Sequence, residues 1–185
     1  MNSKLKILGF AGSLRKASYN KSLLRAAANL MPEDTNLEIF DIDGIPAFNQ
    51  DTEKNMPEKV IDFKSKIREA DAILISTPEY NYSVPGVLKN AIDSATRPYG
   101  DNPFNEKPVA IMSASVGMLG GARAQYHLRQ IFVYLNMYPI NLPEVIVPFA
   151  ENKFDTNGNL VDENTQMFVR QLLQNLVNWT RKVKQ

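Results

Sequence analysis

The chain has 185 residues, 44% of them hydrophobic and 22% charged, with a formal net charge of +1 and no cysteine. A length of this order suits one domain that buries roughly 70% of its unfolded surface, and the even balance of charge leaves no electrostatic footprint for nucleic acid or an anionic membrane as the main partner. Without cysteine there is no disulfide, no thiolate nucleophile and no cysteine-ligated metal, so redox chemistry would have to arrive with a cofactor.

Met1–Lys6 is mildly basic, but the apolar run behind it is too short for a secretory signal. No stretch nears the ~20 apolar residues of a membrane span, and the cytoplasm is the expected compartment. Leu5–Ala11 reads as a strand covered on both faces. Lys21–Met31 places Leu23, Leu24, Ala27, Ala28 and Met31 at helical spacing, and Pro32 stops it. Leu37–Ile42 reads as a second strand. Asp43–Pro57 is rich in turn formers and reads as a surface loop placed to overhang a site. Pro57 opens a helix whose apolar residues are Val60, Ile61, Phe63 and Ile67.

Ala72–Thr77 is an apolar strand ended by Pro78, and Gly86–Arg97 an amphipathic helix. Pro98–Glu106 is a loop leading to the strand Pro108–Ser113. Gly117–Gly121 opens a helix that runs to about Asn136. Tyr138–Pro148 supplies a final strand broken at Pro143, and a closing helix from Asp162 carries Phe168, Leu172, Leu176, Thr180 and Val183. Five strands alternating with five helices specify an α/β fold, a parallel sheet covered on both faces. No repeat or linker divides the chain, so one domain over 1–185 is expected.

In such sheets ligands bind beyond the carboxyl ends of the strands, and three polar segments lie there. The first, Gly12–Asn20, combines backbone N–H groups at a helix start with Ser13, Ser18, Asn20 and the guanidinium of Arg15, a donor set for an anion. It lacks the G-x-G-x-x-G and Gly-Lys-Ser/Thr patterns, so a monophosphate fits it better than a dinucleotide or triphosphate; capping of the helix by Ser18 or Asn20 is the alternative use of the same residues. The second, Pro78–Gly86, is stiffened by proline at both ends and offers Tyr80, Asn81 and Tyr82 to a planar ligand. The third, Ser113–Gly121, pairs glycines that allow close backbone approach with serines that reach polar ring atoms.

The segments Gly12–Asn20, Thr77–Asp93 (TPEYNYSVPGVLKNAID) and Gly120–Gln130 (GGARAQYHLRQ) together resemble the NADPH-dependent FMN reductase family, and within it the bacterial quinone and chromate reductase branch. The resemblance covers nearly the whole chain. It implies a flavodoxin-like three-layer fold with strand order 2-1-3-4-5, bound FMN with NAD(P)H as co-substrate, and a homodimer or homotetramer. It implies that Ser13, Arg15, Ser18 and Asn20 hold the FMN phosphate, that Pro78, Glu79, Tyr80 and Asn81 run along the isoalloxazine, and that Ser113, Ser115 and Gly117 face its other side. It also implies hydride transfer through the flavin to quinones and similar small acceptors (free flavin, azo compounds, chromate), with no side chain as covalent catalyst and no metal. A flavodoxin-like electron carrier without its own NAD(P)H chemistry is the alternative, although +1 net charge gives no sign of the acidic docking surface such carriers use.

Tyr82, Arg123, Tyr126 and Glu144 are candidates for a polar cluster at a subunit interface. His127, the one histidine, is expected to be structural or to lie at an interface, because a lone histidine makes no multi-histidine metal site. Asp155–Asp162 has its glycine in the wrong position for a calcium loop and reads as a turn. Trp179 with Arg181, Lys182 and Lys184 reads as a helix end favourable to cations.

Overall fold

The computed structural model describes residues 4–184; Met1–Ser3, half of the basic start seen in the sequence, and Gln185 lie outside the described residues. The elements run β1 (Leu5–Ala11), α1 (Tyr19–Asn29), β2 (Thr35–Phe40), α2 (Glu58–Glu69), β3 (Ala72–Thr77), α3 (Gly86–Ala95), β4 (Pro108–Ala114), α4 (Ala122–Leu135), β5 (Tyr138–Pro139), β6 (Val145–Val147) and α5 (Glu163–Val183). Among the described residues these strands pair in parallel, and the order β2-β1-β3-β4-β5 is the flavodoxin-like arrangement expected above.

Alternation along the strands sends side chains to two cores. Ile7, Leu74, Ala110 and Met112 face α1 and α5. Leu8, Phe10, Ile73, Ile75, Val109 and Ile111 face α2, α3 and α4. In the second core the Phe63 ring meets Phe10 edge-on at 5.1 Å and stacks on Phe40 at 4.9 Å between centroids, an arrangement worth about 0.5–1.5 kcal/mol per pair beyond area burial.

Four expectations are corrected. The last strand is two short ones: β5 pairs at Pro108 and Val109, β6 at Met112–Ala114, and the chain around Pro143 leaves the ladder between them. In α2 the buried face carries Val60, Phe63, Lys64 and Ile67, with Ile61 exposed. Lys64 takes the core-facing position because its ammonium ends on Asp101 at 2.9 Å and on the carbonyl of Arg97. In α5 Phe168 and Val183 are exposed while Val169, Leu172, Leu173, Leu176 and Val177 are buried; a spacing of four drifts by about 40° per step on a helix of 3.6 residues per turn, so its ends slide off the buried stripe. The loop Asp43–Pro57 contains a 3-10 helix, Gln50–Asn55, and is tied down along α3, where Asn90 accepts from Phe48 N at 2.7 Å and donates to Pro46 O at 2.9 Å. A cavity of about 380 Å³ under it is lined by Phe48, Met56, Val60 and Arg97, and none of the three loops after β1, β3 and β4 contributes to its wall.

Asp162 caps α5: one oxygen accepts from Thr165 N at 2.9 Å and Thr165 Oγ1 at 2.6 Å, the other from Lys153 Nζ at 2.6 Å. The hydrogen bond from Lys153, with those from Thr165, lowers its carboxyl from an ordinary 3.8 to about 2. The folded chain thus favours the carboxylate more than the unfolded chain does, so this stabilisation is complete above the ordinary value and is lost as pH falls toward the folded one. Asp162→Ala is expected to lower stability by about 1–2 kcal/mol at neutral pH in denaturant unfolding, with the difference from the unaltered chain shrinking as pH falls from 4 toward 2.

Candidate functional site

β1, β3, β4 and β6 all end at one edge of the sheet. At Gly12 the chain leaves β1 with its N–H on Ser76 O at 2.9 Å, and it passes so close to α3 that a Cβ there would stand 2.9 Å from Leu88 Cδ2 and 3.0 Å from Thr77 Oγ1. Ser13 is buried and its hydroxyl accepts from Arg15 N at 3.4 Å; Arg15 and Lys16 are exposed. Ser18 is the N-cap of α1, accepting from Lys21 N at 3.4 Å. The helix therefore starts two residues earlier than its apolar spacing indicates, and the N–H groups of Tyr19 and Asn20 lie in its first turn, where no intrahelical acceptor exists.

The start of α1 differs electrostatically from those of three other helices. Glu58 lies in the first turn of α2, Asp162 and Glu163 lie at the start of α5, and the Glu79 carboxylate accepts from Arg123 N and Ala124 N of α4 at 2.9 and 3.3 Å. The first turn of α1 has no acidic residue, and Arg15 and Lys16 precede it. Its positive end is left for an anion from outside the chain.

After β3, Tyr80–Ser83 forms a two-residue turn, with Tyr80 N on Ser83 O at 3.1 Å and Ser83 N on Tyr80 O at 3.0 Å. Its central residues, Asn81 and Tyr82, have φ of 48° and 68°, the left-handed pair of a type I′ turn. Asparagine accepts this conformation readily, whereas a tyrosine there costs about 1–3 kcal/mol and must be held. What holds it is Arg123: the guanidinium lies 3.8 Å from the Tyr82 ring centroid and 3.1 Å from Glu79 Oε1. Ser83 Oγ meets His127 Nδ1 at 2.8 Å, which fixes the far side of the turn and gives the lone histidine its structural use.

After β4, Ser115 N donates to Val147 O, and Ser115 O accepts from Ala150 N, both at 3.0 Å. Ser115 Oγ accepts from Gly117 N at 3.1 Å. Val116, Met118 and Leu119 follow, exposed. Gly121, at φ 92°, turns the chain into α4 where a Cβ would lie 2.8 Å from Ser113 Cβ; no other residue satisfies both constraints.

The three segments expected to converge do so at this edge, but three side chains among them are used inside the protein. Ser113 is fully buried and accepts from Gln125 Nε2 at 2.8 Å. Glu79 is spent on α4. Asn20 is buried, its carboxamide bonded to Ala114 and Ser76. Pro78 is buried, while Tyr80, Asn81 and Gly117 are exposed. The four candidates for an interface cluster form two pairs within the chain, Tyr82 with Arg123 and Tyr126 Oη with Glu144 Oε2 at 3.5 Å. Phe149 stands exposed at φ 49° just beyond β6, between Pro148 and Ala150, whose N–H is on Ser115 O. In the sequence the one sign of it is Pro148 at a strand end. Among the described residues no cluster of histidine, cysteine, aspartate or glutamate is arranged to hold a metal, and Asp155–Asp162 is a turn in which Asp155 accepts from Asn157 N and Asn159 N at 2.9 and 2.8 Å.

The family model described as NADPH-dependent FMN reductase matches residues 5–152. The chain is 48% identical over 185 residues to an NAD(P)H-dependent FMN reductase of Pseudomonas aeruginosa, covering 100% of both. It is 44% identical over 177 residues to a 2-hydroxy-1,4-benzoquinone reductase of a Burkholderia species, covering 96% of this chain and 97% of that one. Among solved structures it is similar to a flavoenzyme NAD(P)H:(acceptor) oxidoreductase of Paracoccus denitrificans, with TM-score 0.89 and 34% identity over 96% of this chain and 98% of that one.

The tie between Glu79 and α4 is testable without any ligand. Glu79→Gln removes the charge that faces both the helix start and Arg123, and is expected to cost about 1 kcal/mol in the denaturant midpoint of the ligand-free chain.

Proposed function

Since the chain belongs to the NADPH-dependent FMN reductase family, we propose that it is an FMN-dependent NAD(P)H oxidoreductase that reduces quinones and similar small acceptors at the edge where β1, β3, β4 and β6 end. One observation of the structure carries the reading: α1 presents a helix start with free N–H groups, no carboxylate in its first turn, and the hydroxyls of Ser13 and Ser18 with the exposed cations of Arg15 and Lys16 alongside. A terminal monophosphate satisfies all of these groups at once.

FMN held there would supply the redox chemistry, taking hydride from a nicotinamide and returning electrons to the acceptor. The protein's part is to hold and to shape. Ser13, Arg15, Ser18 and the backbone of Asn20 take the phosphate. Pro78, Glu79, Tyr80 and Asn81 lie along the ring, with Glu79 acting through its main chain because its carboxylate is committed to α4. Ser115 and Gly117 face the ring from the other side, and Ser113 supports them from the core. A turn stiffened by proline and held by Arg123 loses little freedom when a planar ligand docks, which is the economical way to orient one. The exposed Tyr80, Val116 and Met118 give flat, apolar acceptors a surface to lie on. No side chain serves as a covalent catalyst.

The shared sheet between the two cores supports a single domain. An unpartnered outer face of α4, with Val133 81% and Tyr134 78% exposed, supports a homodimer or homotetramer in which Tyr126 and Glu144 lie near the contact. The cytoplasm, where reduced nicotinamide is available, is the compartment that fits this activity.

Two measurements test the reading. Under anaerobic conditions NADPH is expected to bleach the FMN-loaded protein and a benzoquinone to restore its yellow colour; a flavin that stays oxidised under NADPH points instead to an electron carrier, and a chain that binds no FMN removes both readings. Arg15→Ala is expected to weaken FMN binding by about 1.5–3 kcal/mol, the worth of a charged hydrogen-bonding partner, in a fluorescence titration, with the melting temperature of the ligand-free protein unchanged.

A further inference from the structure

Asn20 stands in the first turn of α1 among the residues assigned to the phosphate, yet its side chain is turned into the protein. The residue is 2% exposed. Its Nδ2 donates to Ala114 O at 2.9 Å, and its Oδ1 accepts from Ala114 N at 3.0 Å and from Ser76 Oγ at 3.1 Å. Three of the four hydrogen bonds a carboxamide can make are thus internal.

The place of these bonds in the sheet explains them. β3 and β4 stay paired up to Thr77 and Ser113. One residue further on, β3 has turned away at Pro78, which has no N–H to offer, while β4 continues to Ala114, opposite Val147 of β6. On the β6 side the ladder is kept, by Ser115 N on Val147 O; on the β3 side Ala114 would be left with an unpaired buried N–H and C=O, which folded chains rarely tolerate. The Asn20 carboxamide supplies both partners, and so takes the place of the missing strand peptide. Through Ser76, whose carbonyl holds Gly12 N at 2.9 Å, the same side chain is linked back to the start of the first loop.

We propose that Asn20 is a positioning residue that sets the loop after β4, Ser115–Gly117, at a fixed place relative to the phosphate-binding start of α1, and that its side chain is not a phosphate ligand. The proposal rests on the FMN reading above. It assigns to one buried amide the registration between the group that holds the phosphate and the group that faces the ring, so its loss acts on the ring end of the ligand as well as on the phosphate end.

The test compares FMN with riboflavin, which lacks the phosphate, on the ligand-free full chain. Asn20→Ala is expected to lower the affinity for both by a similar factor, on the order of tenfold for a lost buried hydrogen-bond partner, and to shift the midpoint potential of the FMN that still binds at saturation. Arg15→Ala, the control, is expected to lower FMN affinity alone and leave the potential in place. The proposal is overturned if Asn20→Ala lowers FMN affinity while sparing riboflavin, or leaves the potential of bound FMN unchanged, or lowers only the melting temperature with both affinities intact. Where riboflavin binds the unaltered chain too weakly to measure, the potential decides. Should Asn20→Ala not fold, Ser76→Ala, which removes one of the three bonds, is expected to produce a smaller shift of the same kind in affinity and potential, and no shift contradicts the proposal. An unaltered chain that fails to bind FMN refutes the underlying function instead, before any variant is compared.

Discussion

A parallel sheet buried on both faces leaves its chain only two edges at which to turn, and this constraint organises the molecule. Every strand must be followed by a crossing to the far edge, so every strand end of one polarity gathers on one side. Here that side collects the segments after β1, β3, β4 and β6. β1 and β3 lie side by side while α1 and α3 depart to opposite faces, and it is at such a switch in strand order that sheets of this kind bind their ligands. The sequence has little freedom there: Gly12 leaves no space for a side chain between β1 and α3, and Gly121 is held by both φ and contact.

Electrostatics then distinguish one place along that edge. A helix start carries a partial positive charge that is stabilised by roughly 0.3–1 kcal/mol when a carboxylate faces it. The chain supplies such a carboxylate to α2, α4 and α5; the first turns of α1 and α3 have none, and of these two it is α1 that is preceded by cations, Arg15 and Lys16. A solvent-exposed helix start can remain hydrated, but this one sits at the switch in strand order, with two buried serines beside it. The Glu79 carboxylate shows the opposite choice made one loop away, where an internal anion caps α4 and locks Arg123 against Tyr82. Holding a left-handed tyrosine in this way keeps the turn after β3 in a single shape before any ligand arrives.

The layered fold was legible because its signals are periodic: β1 and β3 were bounded to the residue, and α1, α3 and α4 were placed within a few positions, although Ala28 of the stripe expected in α1 is exposed. The failures have local causes. Lys64 looks polar in sequence and lies in the core because a partner 37 residues away receives its charge. Phe168 follows a fourfold spacing that the 3.6-residue helix does not keep in register. At the site, residue type alone located the three loops, and the resemblance named their ligand, yet neither separated side chains that face a ligand from side chains that hold the loops. Asn20, Glu79 and Ser113 carry the same donors and acceptors whether aimed outward or inward; only the positions of Ala114, Arg123 and Gln125, set by tertiary packing, decide it. Phe149 is not legible in the sequence because a positive φ at a residue of this type leaves no trace in composition.

Both proposals meet in one arrangement, a monophosphate at the start of α1 with the Asn20 carboxamide kept in the protein's own framework. A crystal structure of the protein with FMN tests it most directly. The phosphate is expected within hydrogen-bonding distance of the main-chain N–H groups of the first turn of α1 and of Ser13, Arg15 and Ser18, with the Asn20 carboxamide still on Ala114. A phosphate bound elsewhere, or an Asn20 amide turned off Ala114 and onto the phosphate, contradicts it.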